Sequence, residues 1–216
     1  MSQTIDSSAA VWTAVSLANN FGAIPLERIW THPAPGEATE EDVVEISEHR
    51  DRLCELIDGV LVEKTVGYIE SVLAVDIAAL LRDFVRKHDL GIVLGADGLT
   101  RLRAGQIRIP DAAFISWDRI PDRRLPEQAF WDRGLDLAVE VISPGNTAQE
   151  MDRKIADYFA AGVRAVWYIY PKRREVVVYS SPTKSVTISE NGVLDGEPVL
   201  PGFSLSLSEL FAAPGK

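Results

Sequence analysis

"LDLAVEVISPGNTAQEMDRK", residues 135–154, runs from an apolar strand through a sharp break into a capped helix. It opens as a strand that is apolar on both faces apart from Asp136 and Glu140, the pattern of an interior strand covered on each side. Ser143-Pro144-Gly145-Asn146 then breaks the strand, and Thr147 with Glu150 forms a capping-box pair at the start of a helix. Met151, Ile155, Tyr158 and Phe159 make the apolar stripe of that helix, and Gly162 marks its end. The difficulty lies in the middle of the strand. Glu140, between Val139 and Val141, is costly to bury unless it is paired, hydrogen-bonded or bound to a metal.

Downstream, "RAVWYIY" (164–170) reads as another buried strand and "REVVVYSS" (174–181) as a more exposed one. Upstream, "RLCELI" and "VLVEK" flank Asp58-Gly59, a dipeptide suited to a type I′ hairpin turn because both central residues need positive φ. Apolar residues at 69, 72, 73, 77, 80, 81 and 84 come next at helical spacing, with Gly91 as the expected helix stop. "IVLG" and "LTRLR" are strand material. "GQIRIPDAAFISW" (105–117) reads as one more strand, with Pro110 forcing residues 109–111 to an edge or bulge. The polar stretch 118–134 reads as a loop, and the tail "FSLSLSELF" (203–211) should pack back on the core. The order is hairpin, helix, three strands, helix, strand. A single mixed sheet flanked by helices is the economical α/β architecture. Residues 1–45 read as an N-terminal extension and linker, with short helices expected near 9–20 and after the Thr39/Asp42 cap signal. The main domain then spans 46–216.

Thirty-two acids against 22 bases leave a formal charge of −10. That balance disfavours nonspecific contact with nucleic acid or anionic membrane, which would need a local basic patch, and it suits carboxylates gathered around a divalent cation. Cys54 is the only cysteine, so no intramolecular disulfide can form, and it reads as a small core residue. No basic n-region opens the chain, and residues 11–18 are too short to span a membrane, so a cytoplasmic protein is expected. His32, His49 and His88 share no spacing and read as solvated. "SPGN" lacks the arrangement of a P-loop and more simply turns the chain into the next helix. In "AVWYIY", Trp167 and Ile169 read as core.

Three polar features align with Glu140. Asp111 comes directly after Pro110 at the irregular point of its strand. Lys154 borders the buried stripe of the helix fed by the strand of Glu140 and can reach back over it. Glu70 lies in the first turn of the long helix, where it also complements the helix dipole. Carboxylates with one ammonium are the groups that metal-assisted phosphodiester hydrolysis uses. Hard oxygens hold Mg2+ or Mn2+, and the lysine orients water or stabilises developing charge.

"CELIDGVLVEK", "GQIRIPDAAFISW", "LDLAVEVISPGN", "EMDRKIADYFAAGVRAVWYIYP" and "VLPGFSLSLSELF" together resemble the Uma2 family of bacterial restriction endonucleases, in register from about residue 53 to 211. That family in turn resembles the PD-(D/E)xK nuclease superfamily. The resemblance implies a restriction-endonuclease-like fold, a divalent metal and DNA as substrate, with a homodimer by analogy. Asp111 takes the place of the first motif Asp and Glu140 that of the (D/E). Lys154 matches a variant in which the lysine has moved to the following helix, because Ile142 stands where the superfamily carries it. Glu70 fits the acid often found on the first helix, and together Asp111, Glu140 and Glu70 would be the metal ligands. Glu55, in the hairpin, is a weaker fourth acid.

Other readings of the same residues stay open. Glu140 could be satisfied by Arg153 or Arg164, and Asp111 could accept backbone N–H groups beside Pro110. Lys154 could be a solvated helix lysine. Glu70 and Glu55 could be a helix-terminal charge and a cross-strand ion pair. Arg101, Arg103, Gln106 and Arg108 are either a phosphate-contacting edge or a solvated strand face. The alternative function is a nucleic-acid- or protein-binding module that keeps the fold without chemistry.

Overall fold

The computed structural model describes residues 12–49, 52–65 and 67–212. Residues 135–154 supply strand β7 (Leu137–Val141) and most of helix α4 (Ala148–Ala160), and β8 (Ala165–Tyr170) then pairs parallel with β7. Before β7 the chain runs α1 (Ala14–Phe21), α2 (Glu40–His49), β1 (Cys54–Ile57), β2 (Val60–Glu63), α3 (Tyr68–Lys87), β3 (Gly91–Leu94), β4 (Thr100–Arg103), β5 (Gln106–Arg108) and β6 (Ala112–Ser116). After β8 come β9 (Glu175–Ser181), β10 (Lys184–Ser189), β11 (Val193–Asp195), β12 (Ser204–Ser206) and α5 (Leu207–Leu210).

All five residues of β7 are buried because helices cover both faces of its sheet. Leu137, Val139 and Val141 face α3, packing in one core with Leu73, Ile77, Leu81, Trp167, Ile169 and the tail residues Leu205, Leu207, Leu210 and Phe211. Ala138 faces α4, in a second core with Met151, Ile155 and Tyr158. Since side chains alternate along a strand, Glu140 also falls on the α4 side. The α4 capping box is complete, with Thr147 and Glu150 each accepting from the other's backbone N–H.

The single sheet expected from the element order is instead three. A six-stranded sheet has the order β10-β9-β8-β7-β6-β3, a four-stranded one the order β2-β1-β5-β4, and β11-β12 form a third. The division occurs inside "GQIRIPDAAFISW". Residues 106 and 107 pair with β1, whereas residues 112–114 pair with β7. Pro110 has no N–H to continue the first ladder, and the N–H of Asp111 donates to the Val139 carbonyl (2.9 Å), which commits the chain to the second. Pro110 therefore marks a switch between two sheets, and Asp111 is the first residue past it.

The hairpin turn is as expected, with φ of 50° and 75° at Asp58 and Gly59. The end of α3 is different. Its left-handed residue is Asp89 (φ 51°), a residue type that tolerates that region, and Gly91 already opens β3. Gly91 answers a steric demand, since a Cβ there would stand 2.0 Å from the Ile115 carbonyl oxygen of β6. The stretch 118–134 contains short 3-10 turns, and Trp131 in it is buried.

Helix α1 starts at Thr13, which caps it; residues 9–11 of the expected helix lie outside the described residues. Phe21, Ile24 and Ile29 pack on Ile57, Val60 and Val62. In α2, Val43 and Ile46 pack on Leu56, Leu61 and Ile107, and Asp42 accepts from both the N–H and the hydroxyl of Thr39. These segments cover the four-stranded sheet. Cys54 is buried beneath them, and burial pushes its thiol up to about 12. His32, His49 and His88 are exposed. No helix among the described residues is long and apolar enough to cross a membrane.

Candidate active site

The two larger sheets and α4 meet around Glu140. From α4, Lys154 reaches back as its place beside the apolar stripe required. Its Nζ lies 2.8 Å from Glu140 Oε1 and 2.9 Å from Glu55 Oε1, so one ammonium joins the strand of one sheet to the hairpin of the other. Tyr158, one turn further along α4, donates its hydroxyl to the same Glu140 oxygen. Glu55 also accepts from Arg108 (2.7 Å) and from the backbone N–H of Ile109 (3.0 Å), and Arg108 continues to Asp157. Lys154, Glu140 and Glu55 are each 5% exposed or less, and Arg108 is fully buried.

Asp111 stands at the sheet switch. Its Oδ2 accepts the Val141 N–H at 2.6 Å, and its Oδ1 faces Lys64 Nζ at 2.9 Å. The backbone-accepting role open to it from sequence is thus present, and its other oxygen faces an ammonium. Asp111, Glu140, Glu55, Lys154 and Lys64 line a single cavity of about 20 Å3. That is room for one water-sized particle.

The electrostatics come down to a count of charges. Glu55, Asp111, Glu140 and Asp157 are four carboxylates, and Lys64, Arg108 and Lys154 are three cations. The cluster is one positive charge short when all are ionised. Burial pushes Glu55 up, but Lys154, Arg108 and the Ile109 N–H overcome it and hold the carboxyl well below its ordinary value. Burial also pushes Glu140 up, Lys154 opposes it, and the charges of Asp111 and Glu55 add to the rise, leaving it at about 7. Two acids sharing one ammonium have therefore been driven apart, one ionised and one able to take a proton near neutrality. Burial pulls Lys154 down, but Glu140 and Glu55 more than compensate, so it stays charged.

Several expectations need correcting. Neither Arg153 nor Arg164 satisfies Glu140: Arg153 binds Asp58 and Asn20, and Arg164 binds the Pro198 carbonyl and approaches Asp136. Arg108 is neither a phosphate edge nor a solvated side chain, because β5 turns it inward between Glu55 and Asp157. Arg101 and Arg103 are held by Glu40 and Asp58. Glu70 is not brought to the cavity. Its carboxylate lies back over Gly67 at the start of α3, the helix-terminal reading. Glu55, ranked last among the acids, is central.

Sequence reasoning also passed over the cavity wall. Arg28 binds Glu150 through two nitrogens, at 2.6 and 3.0 Å, and donates to the carbonyls of Glu63 and Gly145. It clips the segment before α2 to the hairpin, the 143–146 turn and the start of α4. No local pattern marks such a residue, since its partners lie 35 to 122 positions away.

Among the described residues, no three Asp, Glu, His or Cys side chains are disposed as a ligand cage. Asp111 and Glu140 supply two hard oxygen donors to a cavity whose charge is one short. Two such donors could hold a small divalent ion that keeps water or phosphate oxygens at its other positions.

Comparison with known proteins bears on the fold and the family. A crystal structure at 1.96 Å from Anabaena variabilis, described as "a putative nuclease belonging to DUF820", superposes with a TM-score of 0.66. It is 17% identical and covers 74% of this chain and 90% of its own, a likeness of fold. No curated protein matches. The profile of the Uma2 family, described as "Putative restriction endonuclease", matches residues 40–208. The chain, with its three sheets and its acids gathered at a sheet switch, belongs to the Uma2 family.

Proposed function

We propose that the protein is a divalent-metal-dependent nuclease that hydrolyses DNA phosphodiester bonds. The observation that carries this reading is the convergence of Asp111, Glu140 and Lys154 on one cavity whose charges are one cation short when its acids are ionised. Asp111 and Glu140 would hold the ion. Bound there, a divalent ion supplies Lewis-acid polarisation of a phosphoryl oxygen and a more acidic water. The chain's own groups do the rest. Val141 N–H and the sheet switch fix the Asp111 carboxylate, and Tyr158 and Lys154 fix one oxygen of Glu140. Lys154, kept charged by its two acids, is assigned to orient the attacking water and to stabilise charge developing on the phosphate. Glu55 positions Lys154, and Arg108 in turn holds Glu55.

One observation favours the alternative of a binding module without chemistry: Ile142 occupies the place of the motif lysine and packs in the α4 core. Cleavage of supercoiled plasmid DNA with Mg2+ or Mn2+ tests the choice, using wild type, Asp111→Ala and an RNA substrate in parallel. Metal-dependent nicking by wild type that Asp111→Ala lacks supports the proposal. Equal activity in both, or none in wild type while it binds DNA, refutes it.

A further inference from the structure

Lys64 has no role in the motif that led to the site, yet it stands at the mouth of the cavity. It lies just past β2 and still belongs to the hairpin, because its N–H donates to the Leu53 carbonyl at 2.8 Å. Its side chain, 9% exposed, puts Nζ 2.9 Å from Asp111 Oδ1. The same nitrogen lies 2.9 Å from the carbonyl oxygen of Ala96, in the turn after β3. Asp111 has committed its other oxygen to the Val141 N–H. Of the two Asp111 oxygens, the one without a backbone donor is thus the one that Lys64 covers.

An ammonium and a small metal ion compete for such a place, since both are hard cations drawn to a carboxylate and a carbonyl. A lysine at the end of a flexible four-carbon stem can leave without moving the hairpin. We propose that Lys64 is the built-in competitor for the cation position on Asp111, so that a divalent ion binds only by displacing its ammonium. Lys64 is thus a positioning residue that sets metal affinity. This inference rests on the metal-dependent reading of the site. It goes beyond that reading by naming what occupies Asp111 before an ion does.

The test is calorimetric titration of Mn2+ into the full chain for wild type, Lys64→Met, Lys64→Arg and Asp111→Asn, with circular dichroism confirming that each is folded. Lys64→Met is expected to bind Mn2+ at least about ten-fold more tightly than wild type, because a competing charge in contact with the ligand oxygen has gone. Lys64→Arg, which keeps the charge, should stay within about three-fold of wild type, and Asp111→Asn should lose binding. With Cε-labelled lysine, Mg2+ should move the Lys64 resonance in wild type and leave it in place in Asp111→Asn. A Lys64→Met protein that binds Mn2+ as wild type does or more weakly overturns the proposal and leaves the metal reading standing. Folded wild type and Lys64→Met that both fail to bind Mn2+ overturn the metal reading, and this inference with it.

Discussion

Replacing Lys154 by Met removes the ammonium that joins Glu140 of one sheet to Glu55 of the other, and these two acids respond differently. Glu55 keeps Arg108 and the Ile109 N–H, so it remains supported. Glu140, fully buried, is left with the Tyr158 hydroxyl. Breaking a buried pair from one side costs about 3–5 kcal/mol, because an uncompensated charge is left behind. Glu140 escapes part of that cost by holding its proton, and this gives the effect a pH signature. In wild type its raised value of about 7 means that its stabilising contribution is complete below 4.5 and is lost as pH rises towards 7. In the variant, without Lys154, the carboxyl is pushed higher still, and the loss continues above 7 at up to about 1.4 kcal/mol per pH unit. Urea unfolding in EDTA should therefore show a larger penalty at about pH 8.5 than at about pH 6, by roughly 2 kcal/mol. Adding Glu140→Gln should relieve part of the penalty, so that the double variant costs less than the two singles summed by about 1–3 kcal/mol. A single-variant cost below about 1 kcal/mol, a penalty that does not rise with pH, or strict additivity would refute the reasoning.

The same geometry sets four further outcomes. Glu140→Gln alone should flatten the fall in stability of the metal-free protein between pH 4.5 and about 7, and leave the acid limb, where Glu55 with its depressed value loses its contribution as pH falls below 4.5. Thr147→Ala removes the α4 cap and also the hydroxyl bond to the Phe21 carbonyl, so it should cost about 1–2 kcal/mol in urea unfolding. Glu70→Gln, which alters a carboxylate lying over Gly67 away from the cavity, should change Mn2+ affinity by less than about two-fold. Trp167→Ala should cost about 3–5 kcal/mol by chemical denaturation, since the indole is 1% exposed in the α3 core.

Features that depend on near neighbours were legible in the sequence. The Asp58-Gly59 turn, the Thr147/Glu150 cap, the interior character of 137–141 and the stripe that turns Lys154 inward each arise from backbone sterics or side-chain spacing within a few residues. Asp111 and Glu140 could be singled out because an acid beside a strand-breaking Pro and an acid within a buried strand each violate a local expectation. Which groups satisfy them depends on how distant segments fold together. Glu55 meets Lys154, and Arg108 meets both Glu55 and Asp157, only because Pro110 ends one ladder and Asp111 begins another, folding two sheets against α4. An arginine in a short strand looks the same in sequence whether it faces water or a buried carboxylate. A lysine after a hairpin gives no sign that it covers an aspartate 47 positions away. Those pairings depend on how the sheets are laid together, and strand register across such separations leaves no mark in local composition.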